Sequence, residues 1–103
     1  MDYILNIIAE AEEDIKEAFI WYEDKRIGLG YDFLLQIEAE INFIKRNPEI
    51  HHIDYKKTRK HIIKRFPYKI IYLINIEKII ILVVIHTGRN PNLLKNRIHS
   101  MQQ

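Results

Sequence analysis

Cysteine is absent from the 103-residue sequence, and glycine and proline occur only three times each. A chain without cysteine forms no disulfide and offers no thiolate as a metal ligand or nucleophile, which is usual in a reducing compartment. The most apolar stretch, residues 70–85, contains Asn75, Glu77 and Lys78 and is too short and too polar to span a bilayer. The N-terminal residues lack the basic region of a secretory signal. These features predict a cytoplasmic protein.

Acidic residues are nearly missing from the second half of the chain. Before Tyr55, 13 Asp and Glu outnumber five Lys and Arg, which gives a formal charge of −8; from Tyr55 onward, 11 Lys and Arg face only Glu77, which gives +10. The net charge of +2 hides this division. Segregated charge predicts two surfaces of opposite sign, one of them suited to an acidic protein or to phosphate groups.

The first half of the sequence predicts a strand followed by a helical hairpin. A short Ile-rich run, Tyr3–Ile8, is typical of a strand. Apolar residues then recur at helical spacing from Ala11 to Tyr22 and from Phe33 to Ile44. The glycines of Gly28-Leu29-Gly30 end the first helix and Asn47-Pro48 ends the second, so we expect two antiparallel helices joined by a tight link.

The second half of the sequence has the two-residue period of β-strands. Alternation predicts strands over residues 59–66 and 68–74, and the wholly apolar run 79–85 predicts an inner strand that is covered on both faces. A terminal helix is expected over Asn92–Met101, after a proline. The order β-α-α-β-β-β-(α) predicts a single α+β domain over residues 1–103, with the hairpin on one face of a largely antiparallel four-stranded sheet.

Segments along nearly the whole sequence, among them Ala11–Tyr22 and Ile44–Pro48 of the predicted helices, resemble a known family. The sequence Arg65-Phe66-Pro67-Tyr68-Lys69-Ile70-Ile71-Tyr72 and the strand that ends with His86-Thr87-Gly88-Arg89-Asn90-Pro91 are similar to the strand core of the RelE/ParE superfamily of type II toxins, and the Gly28–Phe33 link resembles its helical hairpin. The resemblance implies a bacterial toxin, also called a plasmid stabilisation protein, that a cognate antitoxin neutralises. No cofactor, no metal and no membrane association is expected. Some members inhibit DNA gyrase by binding, and others are metal-independent endoribonucleases that cut messenger RNA on the ribosome.

Three residues are candidates for cleavage chemistry. By the resemblance, Arg65 and Arg89 match arginines that contact phosphate in the RNA-cutting members. His86 is suited to exchange a proton near neutral pH, and a hydrogen bond to the backbone at the end of a strand is the alternative. The RNA-cutting members commonly have a late tyrosine or histidine as acid or base. Here no tyrosine follows Tyr72, Lys95 stands near that position, and His99 is the only late titratable alternative. This departure favours gyrase inhibition by binding, with ribosome-dependent cleavage as the alternative.

A run of cations between residues 56 and 69 contains no acid. It offers a binding surface for phosphate groups or an acidic protein, and one face of the sheet is expected to carry Arg59, Arg65 and Arg89. The alternatives are a solvated surface without a partner, neutralisation by the acidic helices, and an RNA-binding module without toxicity. The residues predicted to bind nucleic acid or a partner are Lys56, Lys57, Arg59, Lys60, Lys64 and Lys69.

Two pairs of adjacent residues complete the predictions. His51 and His52 are neighbours in a predicted loop, which is not a metal-binding spacing, so no metal site is expected. Trp21 and Tyr22 are neighbours on one predicted helix and cannot both face the core. One of these two aromatic side chains is therefore expected to be exposed or to contact a partner.

Overall fold

The computed structural model describes residues 2–88 and 92–101. The described residues form helices and strands in the order that the sequence predicts. Their bounds are β1 (Ile4–Ile7), α1 (Ala9–Lys25), α2 (Leu29–Arg46), a single 3-10 turn (Tyr55–Lys57), β2 (Arg59–Ile62), β3 (Tyr68–Asn75), β4 (Lys78–His86) and α3 (Asn92–Met101). The predicted bounds of the terminal helix are confirmed. Within the described ranges, no helix is long and apolar enough to cross a membrane.

The strands form one mixed sheet in the order β1-β4-β3-β2. β1 runs parallel to β4, whereas the β2–β3 and β3–β4 pairs are antiparallel. Helices α1 and α2 pack on one face of the sheet, and α3 packs on the other. β4 is therefore an inner strand with both faces covered, which confirms the prediction from its apolar residues 79–85.

Apolar side chains fill two cores, one on each face of the sheet. The larger core joins the hairpin to the sheet, and in it Phe33 and Tyr72 are fully shielded from solvent. The Phe33 ring packs edge to face against Phe66, with ring centroids 5.3 Å apart. In the smaller core, Leu94 and Ile98 of α3 pack on the opposite face. Burial of each such side chain contributes about 1.5–3 kcal/mol to stability, so apolar contact holds both helical layers on the sheet.

The α1–α2 link turns because of two glycines and one carboxylate. Gly28 adopts φ +91°, a left-handed conformation that glycine enters without steric cost. Gly30 lies so close to α1 that a Cβ atom there would stand 2.6 Å from the Phe19 carbonyl oxygen. The Glu23 carboxylate accepts a hydrogen bond from each of the two glycine N–H groups, both at 2.9 Å. These contacts hold the two helices together as the predicted antiparallel hairpin.

β2 is shorter than the sequence pattern predicts, and the predicted strand over residues 59–66 is wrong beyond Ile62. Arg65 adopts φ +74°, which is incompatible with an extended strand. The Ile63 N–H still donates to the first carbonyl of β3, at 3.0 Å, so the chain turns back directly into the next strand. As a result, Ile63 and Phe66 both enter the core on the hairpin side instead of pointing to opposite faces.

Candidate functional site

Arg65 and His86 lie at the same end of the sheet. His86 is the last residue of β4 and pairs with Tyr68 at the start of β3. The two rings meet edge to face, with their centroids 5.4 Å apart. Arg65 belongs to the bend before β3, where its exposed guanidinium lies 3.9 Å from an Asp32 carboxylate oxygen and 5.6 Å from the centroid of the Phe66 ring. The fold thus brings two of the three cleavage candidates to one end of the sheet.

The His86 ring accepts a hydrogen bond at Nδ1 from the Gly88 backbone N–H, 3.0 Å away. A histidine nitrogen that accepts a hydrogen bond carries no proton, so the neutral ring holds its proton on Nε2. In that tautomer Nε2 is a hydrogen-bond donor, whereas a general base must accept a proton. This arrangement corresponds to the backbone-bonded alternative. Arg89, the third candidate, lies outside the described residues.

The lysines of the 56–69 run form two groups at opposite ends of β2. In the first group, Lys60 forms an exposed ion pair with Asp54, at 3.0 Å. It lies beside the 3-10 turn, whose two lysines both have positive φ. In the second group, Lys64 is exposed and Lys69 is half-buried. The first group consists of Lys56, Lys57 and Lys60, and the second of Lys64 and Lys69.

Arg59 contributes to the fold and does not join an open cationic face. Its Nη1 donates hydrogen bonds to the backbone carbonyls of Glu49 and His51, at 3.0 and 2.7 Å. Arg59 lies opposite Tyr72 in the β2–β3 ladder, and the Tyr72 ring is buried on the hairpin side of the sheet. The expectation that one sheet face carries both Arg59 and Arg65 is therefore wrong, because Arg59 binds the α2–β2 connection and Arg65 lies beyond the end of β2.

A buried polar chain links α2 to β2, and no motif in the sequence predicts it. A Glu40 carboxylate oxygen lies 2.9 Å from His61 Nε2, and His61 Nδ1 lies 2.8 Å from His51 Nε2. The other Glu40 oxygen accepts the Lys64 backbone N–H at 2.9 Å and the Gln36 side-chain amide at 3.0 Å. Glu40 and His61 are each only 7% exposed. The signal in the sequence is that Glu40 falls on the apolar stripe of α2, where a charged group needs a partner.

The polar chain shifts the pKa values of two of its members. Burial raises the pKa of Glu40, but the hydrogen bonds that its carboxylate accepts outweigh burial, so the pKa lies below its ordinary value. Burial lowers the pKa of His51, and nearby positive charge, chiefly that of His61, lowers it further. The folded chain thus favours a charged Glu40 and a neutral His51.

Stability is expected to fall as the pH decreases below about 6.5. The unfolded chain protonates His51 more readily, because the pKa of this residue is lower in the folded chain. Urea unfolding at about pH 7.5 and about pH 5.5 should therefore show a smaller loss of the free energy of unfolding in His51→Gln than in the wild type. The control His52→Gln, at an exposed neighbour, should lose as much free energy of unfolding between the two pH values as the wild type does. If His51→Gln also lost as much as the wild type, the expectation would be contradicted.

An ion pair anchors α3 to α1 at the edge of β4. The Arg97 guanidinium donates two hydrogen bonds to the Asp14 carboxylate, at 2.5 and 3.1 Å, and one to the Leu82 carbonyl, at 3.0 Å. The Val84 N–H donates to the same carboxylate at 3.0 Å. Because β1 ends opposite Ile81, no described strand continues along β4 on the side away from β3. Side chains of the two helices therefore satisfy backbone groups that a neighbouring strand would otherwise bind.

The adjacent aromatic residues Trp21 and Tyr22 occupy different environments. Tyr22 lies in the core, whereas Trp21 is 54% exposed, which confirms that only one of the two faces inward. In the part of the chain that the structure describes, no group of three or more His, Cys, Asp or Glu side chains is placed to hold a metal ion.

A helical hairpin on one face of a mixed four-stranded sheet, with the excess of cations in the second half of the chain, defines a small α+β domain of the RelE/ParE type. The structure is similar to that of a chain in a chromosomal ParDE toxin-antitoxin system from P. aeruginosa, with a TM-score of 0.73 and 14% sequence identity. The match covers 82% of this chain and 95% of the other. A family model described as the ParE toxin of the type II toxin-antitoxin system parDE matches residues 6–91.

The chain therefore belongs to the ParE family of type II toxins. The resemblance found in the strand and hairpin segments is confirmed by this match. No curated protein matches the sequence significantly.

Proposed function

We propose that residues 1–103 form a single toxin domain that acts in the cytoplasm by binding and inhibiting DNA gyrase, and that a cognate antitoxin neutralises it. The match of residues 6–91 to the ParE toxin model carries this proposal. Inhibition by binding requires a complementary surface and no proton transfer. It therefore needs no general acid or base among the described residues.

The geometry around His86 supports binding over cleavage. Cleavage of RNA without a metal needs a base for the attacking hydroxyl and an acid for the leaving oxygen. His86 has its Nδ1 engaged by the Gly88 N–H, which leaves the neutral ring as a donor. The neighbouring Arg65 packs over the Phe66 ring and lies near Asp32. Such a guanidinium is suited to bind an anion and is too basic to exchange protons.

Lys64 and Arg65 supply the charged surface for the target in this proposal. Both side chains are exposed, and they are adjacent in the bend between β2 and β3. Exposed cations accelerate association with an acidic surface and orient it. Arg59 is excluded from this role, because its guanidinium already binds two backbone carbonyls.

Two parallel assays test the proposal. The purified chain, released from its antitoxin, is added to a supercoiling reaction of gyrase with relaxed plasmid, and separately to ribosomes translating a defined messenger RNA. We expect supercoiling to be inhibited and the messenger RNA to stay intact. Cleavage at codon boundaries with normal supercoiling would overturn the proposal in favour of a ribosome-dependent endoribonuclease. Inactivity in both assays, together with RNA binding that weakens steeply with salt, would identify a non-toxic RNA-binding module.

A matched pair of variants locates the surface that binds the target. Lys64→Gln combined with Arg65→Gln should weaken inhibition of supercoiling roughly tenfold, as expected when charges at an interface are removed. The control combines Lys16→Gln with Arg46→Gln, which removes the same charge from exposed positions on the helices, and should inhibit as the wild type does. Equal effects of the two pairs would show that only net charge matters.

A further inference from the structure

A groove of about 770 Å³ lies between α1, the end of β4 and α3. One wall is the α1 face that carries Glu10, Glu13 and Glu17. Tyr68 and His86 belong to the opposite wall, at the end of the sheet. The groove is therefore distinct from the cationic surface at Lys64 and Arg65, and its charge has the opposite sign.

The carboxylates of the α1 wall have no cationic partner among the described residues. Glu10, Glu13 and Glu17 recur at spacings of three and four, which places them on one side of the helix. All three are exposed. The lining also includes Asp14, but the Arg97 guanidinium neutralises that carboxylate. Among the described residues, the wall consequently presents three negative charges without a cationic partner along one side of the groove.

An exposed aromatic residue continues the acidic wall. Trp21 lies one helical turn beyond Glu17, lines the groove and is 54% exposed. The Lys25 ammonium group lies over its ring, 4.7 Å from the centroid, so this cation–π contact is made within the chain and the rest of the exposed ring offers apolar contact area. Tyr22 and Leu93 add apolar surface to the same groove. Carboxylates, an indole face and apolar surface together fit side chains that are cationic at the tip and apolar along the stem.

Among the described residues that line the groove, Arg97 is the only lysine or arginine, and it is paired with Asp14; His86 belongs to the opposite wall. The Gly88 N–H donates to Nδ1 of this ring, and a protonated ring could not accept that bond. Acidic side chains therefore outnumber lysine and arginine among the described residues that line the groove.

We propose that this groove binds a segment of a partner protein in which lysine or arginine side chains alternate with apolar ones. The cations bind the carboxylates of Glu10, Glu13 and Glu17, and the apolar side chains pack on Trp21 and Leu93. The inference does not depend on gyrase being the target, because it concerns a different surface of the chain. The two oppositely charged surfaces allow the protein to hold a basic partner without covering Lys64 and Arg65.

The fluorescence of Trp21 provides the test, because this is the only tryptophan of the chain. The probe is a short synthetic peptide of alternating lysine and valine with both ends blocked, and the control peptide has glutamate in place of lysine. We expect the lysine peptide to change the tryptophan emission to saturation, with calorimetry giving the same dissociation constant and with affinity falling as salt increases. The glutamate peptide should not bind. Binding of both peptides, or of neither by both methods, would overturn the proposal.

Charge-matched variants distinguish the groove from a general attraction to an acidic helix. Glu13→Gln combined with Glu17→Gln should weaken binding of the lysine peptide by about threefold to tenfold, as expected for two exposed charge pairs. Glu12→Gln combined with Asp24→Asn removes the same charge from exposed positions of α1 that do not line the groove. This control should bind the peptide as the wild type does. If both pairs weaken binding equally, the groove is not the site.

Discussion

Replacing Glu40 by alanine is expected to lower the free energy of unfolding by about 3 kcal/mol. The Glu40 carboxylate is buried and binds His61 Nε2, the Lys64 N–H and the Gln36 amide. Alanine removes the acceptor and leaves the buried His61 ring and two part-buried donors without this partner. The cost of unsatisfied donors, added to the lost ion pair, exceeds the gain from removing a buried charge. Urea unfolding followed by circular dichroism measures the difference.

Glu38→Ala is the matched control for this experiment. Glu38 lies on the same helix and is exposed, so its replacement should change the free energy of unfolding by no more than about 0.5 kcal/mol. Glu40→Gln keeps an acceptor oxygen and should fall between the wild type and Glu40→Ala. If Glu40→Ala were as stable as Glu38→Ala, the buried polar chain would contribute nothing to the folded state.

Replacing Asp14 by alanine is expected to cost about 2–3 kcal/mol and to loosen α3 selectively. The Asp14 carboxylate is the acceptor for both the Arg97 guanidinium and the Val84 N–H. Its loss leaves a partly buried guanidinium without its counter-ion and removes the polar link between α1 and α3. Hydrogen exchange should report faster exchange across residues 92–101 than in α2, in addition to a lower free energy of unfolding.

A double-mutant cycle separates this ion pair from simple loss of packing. Arg97→Leu alone leaves the Asp14 carboxylate with only the Val84 N–H, and should also be destabilising. In the double variant Asp14→Ala with Arg97→Leu, no unpaired charge remains, so its loss of stability should be smaller than the sum of the two single losses. Strict additivity would mean that the two side chains do not stabilise each other.

Much of the fold could be predicted because local hydrophobic periods agree with the final packing. The stripes of α1 and α2 and the apolar run of β4 each point to one buried surface. The end of β2 could not be predicted, because Arg65 enters the left-handed region without a glycine or asparagine to signal it. Local sequence indicates how a segment folds, but here tertiary contact with the core sets where the strand stops.

The candidate site was predictable in composition and not in arrangement. The cationic segment is evident from the sequence. The structural role of Arg59 is not, because its guanidinium binds the backbone carbonyls of Glu49 and His51. These carbonyls reach Arg59 only once the α2–β2 connection has folded back. The Asp14–Arg97 pair joins residues from nearly opposite ends of the chain. No window of local sequence contains such a pair, so charge segregation predicted oppositely charged surfaces without revealing the acidic groove.

The parallel pairing of β1 with β4 affects the order in which the molecule can assemble. β1 lies in register with Lys78–Ile81, so all the residues between these two strands must be synthesised before β1 has its neighbour. Contacts between such distant parts of a chain slow folding, because a long loop must close first. Until then, the apolar surfaces that β1 and the hairpin later bury remain available to other molecules. The sheet, and with it the cationic end at Arg65, is therefore completed late in synthesis.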